Sequence, residues 1–220
     1  GMNAIVNSQT AMNSIVGNAN AMNYLVNSDT ALNKVVNSQI AMNSVISSST
    51  AISYVVGSVK AMGYVVKTAI GLNTSANNQA MITAIANSDN AATIWLNSNG
   101  SSYIASSSIC QTAFMNDSNV SKVINNQNGL NVIMSDSSLI TMVCASPSKF
   151  TALCNNSTAC GLFCDSQTAR TAMYDNASVT QPVIQNSQNM LNTMKARSET
   201  VSDTSGNRVF INKKLSLIHI

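Results

Sequence analysis

Charged side chains are scarce in this sequence. Of 220 residues, 11 are Lys or Arg and 8 are Asp or Glu, 9% of the chain. Up to residue 194 the two signs balance: Lys34, Lys60, Lys67, Lys122, Lys149 and Arg170 stand against Asp29, Asp89, Asp117, Asp136, Asp165 and Asp175. Such a stretch has no electrostatic footprint for a phosphate backbone, so nucleic acid is not expected as a partner. The net charge of +3 resides in the tail, where Lys195, Arg197, Arg208, Lys213 and Lys214 outweigh Glu199 and Asp203. Long apolar runs are missing as well, and none approaches the roughly 18 residues of a membrane span. Histidine occurs once, at His219, and glutamate once, at Glu199. Serines are abundant, but none has a histidine partner or a Gly-x-Ser-x-Gly elbow. No catalytic residue, cofactor or metal site is expected, and the chain is not read as an enzyme.

What is present is a repeat. The first forty residues, "GMNAIVNSQT AMNSIVGNAN AMNYLVNSDT ALNKVVNSQI", run through one decad four times, Ala-Met-Asn-x-Ile/Val-Val-Asn-Ser-x-Thr when written from Ala11. Positions one, two, five and six are apolar. On a helix they fall at about 0°, 100°, 40° and 140°, opposite the polar positions three, four and ten. A strand would send positions one and two, or five and six, to opposite faces, with no alternation to match. A continuous helix is excluded too. A decad with three turns has about 3.33 residues per turn, too tight for the supercoils that absorb periods near 3.5 or 3.67. The helix must therefore break once per decad.

Two positions mark the break. Position seven exchanges Asn and Gly (Asn7, Gly17, Asn27, Asn37, Gly57), which predicts a left-handed helix-ending residue there. Position eight is a good N-cap throughout: Ser8, Asn18, Ser28, Ser38, Ser48, Ser58, Thr68, Asn78, Ser88, Ser98 and Ser108, then Asp117, Asn126, Asp136, Ser146, Asn156, Ser166, Asn176 and Asn186. Pro147, directly after Ser146, suits the first helical position. Each decad thus predicts a helix from position nine through position six of the next repeat. A rod of about 12 Å is too short to fold alone, so stability must come from packing between neighbours.

The expected fold is all-α, a solenoid of about 19 short helices over residues 1–194. A β-solenoid with stacked Asn and Ser ladders is the alternative. Small residues at position one (Ala11, Ala21, Ala31, Ala41, Ala51, Ala61, Gly71) predict close approach of neighbouring helices, with Met12, Met22, Met42 and Met62 filling the gaps. Ser75 and Ala76 stand where large aliphatics belong and predict a weak link. Pro182 is expected to kink or end its helix.

After Ala196 the pattern dissolves. Residues 195–214 read as the start of a different segment or domain, with Ser205-Gly206-Asn207 as a turn before a strand at Val209-Phe210-Ile211. Residues 215–220, Leu-Ser-Leu-Ile-His-Ile, can be back-translated as the mosaic-end adapter of transposase-made sequencing libraries and are read as an artefact. Gly1 falls in register with Ala11 and Ala21, so the array is expected to extend upstream. The reading is of a truncated frame from environmental DNA.

Five cysteines and three tyrosines are the remaining candidates. Cys144, Cys154 and Cys164 occupy position six and Cys160 position two, which predicts small buried hydrophobes; Cys110 completes the set. The spacing of Cys154, Cys160 and Cys164 lacks the close CxxC pair of a metal site, and a disulfide between stacked cysteines stays open. Tyr24, Tyr54 and Tyr64 share position four, flanking the apolar arc. They either cover junctions between helices or line a weak binding edge for sugars or a protein.

The segment "AMNSIVGNANAMNYLVNSDTALNKVVNSQIAMNSV", Ala11 to Val45, resembles the decapeptide arrays of bacteriophage tail-fibre and other tail-associated proteins, through its Ala-Met-Asn openings and Asn-Ser breaks. The resemblance fades through the second half, where the cysteines depart from it. It implies a structural shaft or spacer of a tail fibre or similar surface appendage that displays a distal module. Its partners would be other appendage proteins or further copies, its place the virion or a cell surface. The alternative is a cell-surface adhesin that binds host glycan or protein along the array.

Overall fold

The computed structural model describes residues 1–202 and 208–212. They are overwhelmingly helical. The first ten helices are α1 (Met2–Val6), α2 (Gln9–Val16), α3 (Ala19–Asn27), α4 (Asp29–Val36), α5 (Gln39–Ile46), α6 (Ser49–Gly57), α7 (Val59–Val65), α8 (Ala69–Ala76), α9 (Gln79–Asn87) and α10 (Asp89–Leu96). A 3₁₀ turn, Asn99–Ser102, runs into α11 (Tyr103–Ser106), followed by α12 (Ser108–Phe114) and α13 (Val120–Ile124). Then come α14 (Gln127–Ser135), α15 (Ser137–Cys144), α16 (Pro147–Cys154), α17 (Ser157–Asp165), α18 (Gln167–Asp175), α19 (Ala177–Gln185) and α20 (Gln188–Ala196). Strands β1 (Ser198–Ser202) and β2 (Arg208–Asn212) pair antiparallel, with Thr200 opposite Phe210, so the expected strand at Val209–Ile211 forms. The expected turn at Ser205-Gly206-Asn207 and residues 215–220 lie outside the described residues.

The helix bounds follow the decad. In α2, α4 and α5 they run from position nine through position six. The break is one extended residue at position eight: Ser8, Ser28 and Ser38 have φ between −102° and −114° and ψ between 111° and 119°. That residue wastes no backbone group. Its N–H closes the helix before it (Ser38 N to Val35 O, 3.0 Å) and its carbonyl opens the next (Met42 N to Ser38 O, 2.9 Å). Its side chain accepts from the amide three residues on, as Ser38 Oγ does from Ala41 N at 3.2 Å. One extended residue bends the chain sharply, by 102° between α5 and α6.

Position seven corrects the sequence reading. No left-handed residue ends these helices: Asn7 has φ −99°, Gly17 −84° and Asn37 −98°. Asn and Ser recur there for another reason. Their side chains donate back to the position-three carbonyl, Asn27 to Asn23 O at 2.8 Å, Asn37 to Asn33 O at 2.8 Å and Ser47 to Asn43 O at 2.7 Å. These carbonyls lie at the last turn of the helix, where the side chain adds a donor.

The caps hold from Ser8 through Ser88, and again at Asp136, Ser146, Asn156 and Ser166. Three assignments shift. Ser107, not Ser108, caps α12, Ser187, not Asn186, caps α20, and Asn176 makes no cap bond. Around Asp117 the register is irregular, and Asn116 takes the amides of Ser118 and Asn119 instead. Pro147 opens α16 as expected. Pro182 does not end its helix, since α19 continues to Gln185. The amide it lacks would have met the carbonyl of Ser178, an exposed residue whose carbonyl water can satisfy.

The chain forms two compact units, residues 1–128 and residues from Gly129 onward. In the first, each helix packs on the helix three places later: α1 on α4, α2 on α5, α3 on α6, α4 on α7, α5 on α8, α6 on α9 and α7 on α10. Three decads therefore make one turn, with three columns of stacked helices. The second unit follows the same rule, with α15 on α18, α16 on α19 and α17 on α20. Position two is the deepest: Met12, Met22, Leu32, Met42 and Met62 are all buried. Position one becomes buried only where a preceding turn lies against it. Ala11, Ala21 and Ala31 are half-buried, whereas Ala41, Ala51 and Ala61 are sealed. Gly71 is crowded instead by its own break, where a Cβ would sit 2.2 Å from the Val65 carbonyl oxygen at the end of α7.

Candidate functional site

Polar side chains join successive turns along the stacked helices. The cap hydroxyl at position eight both accepts and donates. Ser38 Oγ gives its proton to Val6 O at 2.6 Å, Ser48 Oγ to Val16 O at 2.7 Å and Thr68 Oγ1 to Val36 O at 2.9 Å. Each acceptor is the position-six carbonyl one turn earlier, 32 residues back. Where no cap hydroxyl reaches, other donors do: Lys122 Nζ to Ala86 O at 2.9 Å and Asn128 Nδ2 to Leu96 O at 3.2 Å. In the second unit Ser187 Oγ and Asn189 Nδ2 both donate to Cys154 O at 3.3 Å.

A second set of rungs links position nine to position four, 35 residues later. Gln9 Nε2 donates to Ser44 Oγ at 2.6 Å and Gln39 Nε2 to Thr74 Oγ1 at 2.9 Å. Ion pairs also join successive turns, at intervals of 31 to 33 residues. Lys60 meets Asp29 at 3.3 Å, Lys122 meets Asp89 at 2.9 Å, and Arg197 clamps Asp165 through two nitrogens at 2.7 and 2.9 Å. Sequence reasoning counted these aspartates only as charges and missed their partners. The missed signal was complementary residue types about one turn apart.

The tyrosines are divided by this geometry. Tyr24 on α3 and Tyr54 on α6 lie in one column, one turn apart, and Tyr64 on α7 lies in the next column. Tyr24 is 78% exposed, whereas Tyr54 and Tyr64 are half-buried. The Tyr64 hydroxyl donates to Asp29 Oδ1 at 3.1 Å, and Lys67 Nζ stands 5.6 Å from its ring centre. Desolvation first, and the Asp29 carboxylate second, hold its phenol above the ordinary pKa of 10.0. Tyr64 thus bridges two turns. Trp95 is fully buried, its ring centre 6.2 Å from that of Tyr103.

Between α6 and α9 the rung is missing. Ser49 occupies position nine and Ala84 position four, and neither spans the gap that Gln39 and Thr74 close one column away. An open groove of about 760 Å³ results, lined by Ile52, Val56, Ala80 and Ala84 with the hydroxyls of Ser53 and Ser88. A smaller hollow of about 400 Å³ beside Asn13, Ser44 and Ser48 shares Ser47 and Ser49 with it. No charged side chain lines either one. Such a surface offers apolar contact and neutral hydrogen bonds.

All five cysteines are buried free thiols. Burial pushes Cys110 and Cys164 up to about 11 and Cys144 up to about 12. Cys154, Cys160 and Cys164 come together in the second unit, yet among the described residues no three His, Cys, Asp or Glu are arranged to hold a metal. Arg170 is buried beside them, donating to Cys164 O at 2.9 Å and to the Gln167 amide oxygen. No family model matches this chain, and no curated protein matches it.

Proposed function

We propose that the array is a structural shaft or spacer of a phage tail fibre or similar surface appendage, which holds a distal module away from the particle. The observation that carries this reading is a recurring joint between turns. Ser38, Ser48 and Thr68 repeat one bond at one interval, so length changes by whole turns while each neighbour interface is conserved. The change from helices to the antiparallel β1–β2 pair after Ala196 supports residues 195–214 as the lead into the displayed module. Other appendage proteins or further copies of the chain are its partners. Immunogold electron microscopy with an antibody to residues 1–128 tests it on particles from the source sample. Label along tail appendages is expected, and label confined to bacterial envelopes would overturn it.

The groove between α6 and α9 favours one second reading, an adhesin that binds a neutral host glycan along the array. On that reading the purified array binds host-surface glycan, and Ala84→Tyr, which fills the groove, abolishes binding. On the shaft reading the array alone does not bind.

A further inference from the structure

The cysteine pairing that spacing leaves open is narrowed by the fold. Cys154 ends α16, and Cys160 and Cys164 sit one helical turn apart on α17. All three are buried. Cys164 Sγ faces a thioether, Met190 Sδ of α20, at 3.6 Å, which offers it no thiol to bond. Cys160 and Cys164, four apart on one helix, have Cβ atoms about 5–6 Å apart, beyond the roughly 3.5–4.5 Å that a disulfide spans. Cys110 lies in the other unit, and Cys144, at the end of α15, is perturbed by burial alone and by no other thiol. Cys154 and Cys160 remain, and they touch. The Cys160 side chain is set against Cys154 across the α16–α17 break. Cys160 Sγ itself lies 3.6 Å from the Cys154 carbonyl oxygen and 3.8 Å from that of Leu153.

We propose that Cys154 and Cys160 are a redox pair, which closes into a disulfide across the α16–α17 break in an oxidising thiol–disulfide pool and leaves Cys164 a free thiol. The closeness of the two side chains assigns the roles. It holds Cys160 below the ordinary thiol pKa and Cys154 above it, so Cys160 is the attacking thiolate. Cys160 gives up its proton and attacks one sulfur of a low-molecular-weight disulfide. That S–S bond breaks, one thiolate departs and takes a proton, and a mixed disulfide remains on Cys160. Cys154 then loses its proton to solvent and displaces the second thiol. Two protein thiols are oxidised to one disulfide while one external disulfide is reduced to two thiols.

The joint concerned carries load between turns. The Cys154 carbonyl receives both Ser187 and Asn189 from the start of α20, so a bond from Cys154 to α17 fixes the acceptor on which the next turn hangs. Since both sulfurs are buried, oxidation proceeds through local opening and is slow.

The test uses the full chain, reduced and then incubated with oxidised glutathione at pH 8. Thiols are alkylated in denaturant and counted by mass. The five alkylatable thiols of the reduced chain fall to three in the wild type, and the four of Cys164→Ala fall to two. Cys154→Ala and Cys160→Ala each keep all four. The thermal midpoint of the wild type rises by several degrees on oxidation and returns with dithiothreitol. Retention of five thiols by the wild type, or loss of two by Cys154→Ala or Cys160→Ala, would overturn the proposal. If either alanine variant proves unfolded by circular dichroism, fragmentation mass spectrometry of the oxidised wild-type peptide 150–170 decides the pairing: any bond other than 154 to 160 is fatal to it.

Discussion

At the scale of the residue, the position-eight hydroxyl does two jobs that can be separated. Ser48 caps α6 through Ala51 N and also donates to Val16 O one turn earlier, whereas Ser58 caps α7 through Ala61 N. Ser58→Ala is expected to cost about 1 kcal/mol, the value of a cap. Ser48→Ala should cost about 1–1.5 kcal/mol more, because a part-buried carbonyl loses its donor as well. Urea unfolding of the two variants measures the difference, and equal losses would show that the cross-turn bond contributes nothing. The thiols supply a pH dependence. Cys110, Cys144 and Cys164 are neutral in the fold and are raised from 9.0 to about 11, 12 and 11. The unfolded chain ionises them first, so stability is full below pH 9 and declines as pH rises towards 11 to 12. The urea midpoint should be level from pH 7 to 8.5 and fall steadily above 9, less steeply in Cys144→Ala.

At the scale of the element, helix length and helix ends were readable, but the chemistry of position seven was misread. An Asn/Gly exchange resembles a left-handed cap, and only the backbone shows that Asn7, Gly17 and Asn37 keep negative φ. Gly57 is accordingly an ordinary helical residue with no atom within 4 Å of a Cβ placed on it. Gly57→Ala should therefore stabilise the protein by about 0.5–1 kcal/mol. A loss of stability in thermal unfolding would restore the left-handed reading. Ser75, in the repeat expected to be a weak link, is buried with a hydroxyl that has no partner. The tyrosines of position four were grouped by sequence register, yet a 102° bend puts consecutive repeats in different columns. Residues ten apart part company, and those thirty apart share a column.

At the scale of the whole molecule, the operative unit is three decads. A duplication of residues 9–38 inserts one full turn and leaves every later helix in its column. The variant is expected to fold with unchanged helicity per residue and undiminished urea midpoint. Insertion of a single decad after Ser38 moves later helices one column round and separates Asp29 from Lys60 and Tyr64. Its midpoint should drop below that of the thirty-residue insertion, although it adds fewer residues. Equal midpoints would mean that the rungs between turns are incidental and that the decad alone is the building block.

The sequence by itself determined what depends on neighbours along the chain: that the fold is helical, where most of the helices start, and that positions one, two, five and six carry its buried face. These follow from steric periodicity and from capping, which act within about four residues. Tertiary structure alone decided how many helices complete a turn, which carbonyl each cap hydroxyl meets, and which cysteine lies against which. Those outcomes hang on the bend angle at a single extended residue, repeated and accumulated over some thirty residues. Small differences in that angle change every partner, and no local pattern of residue types encodes it.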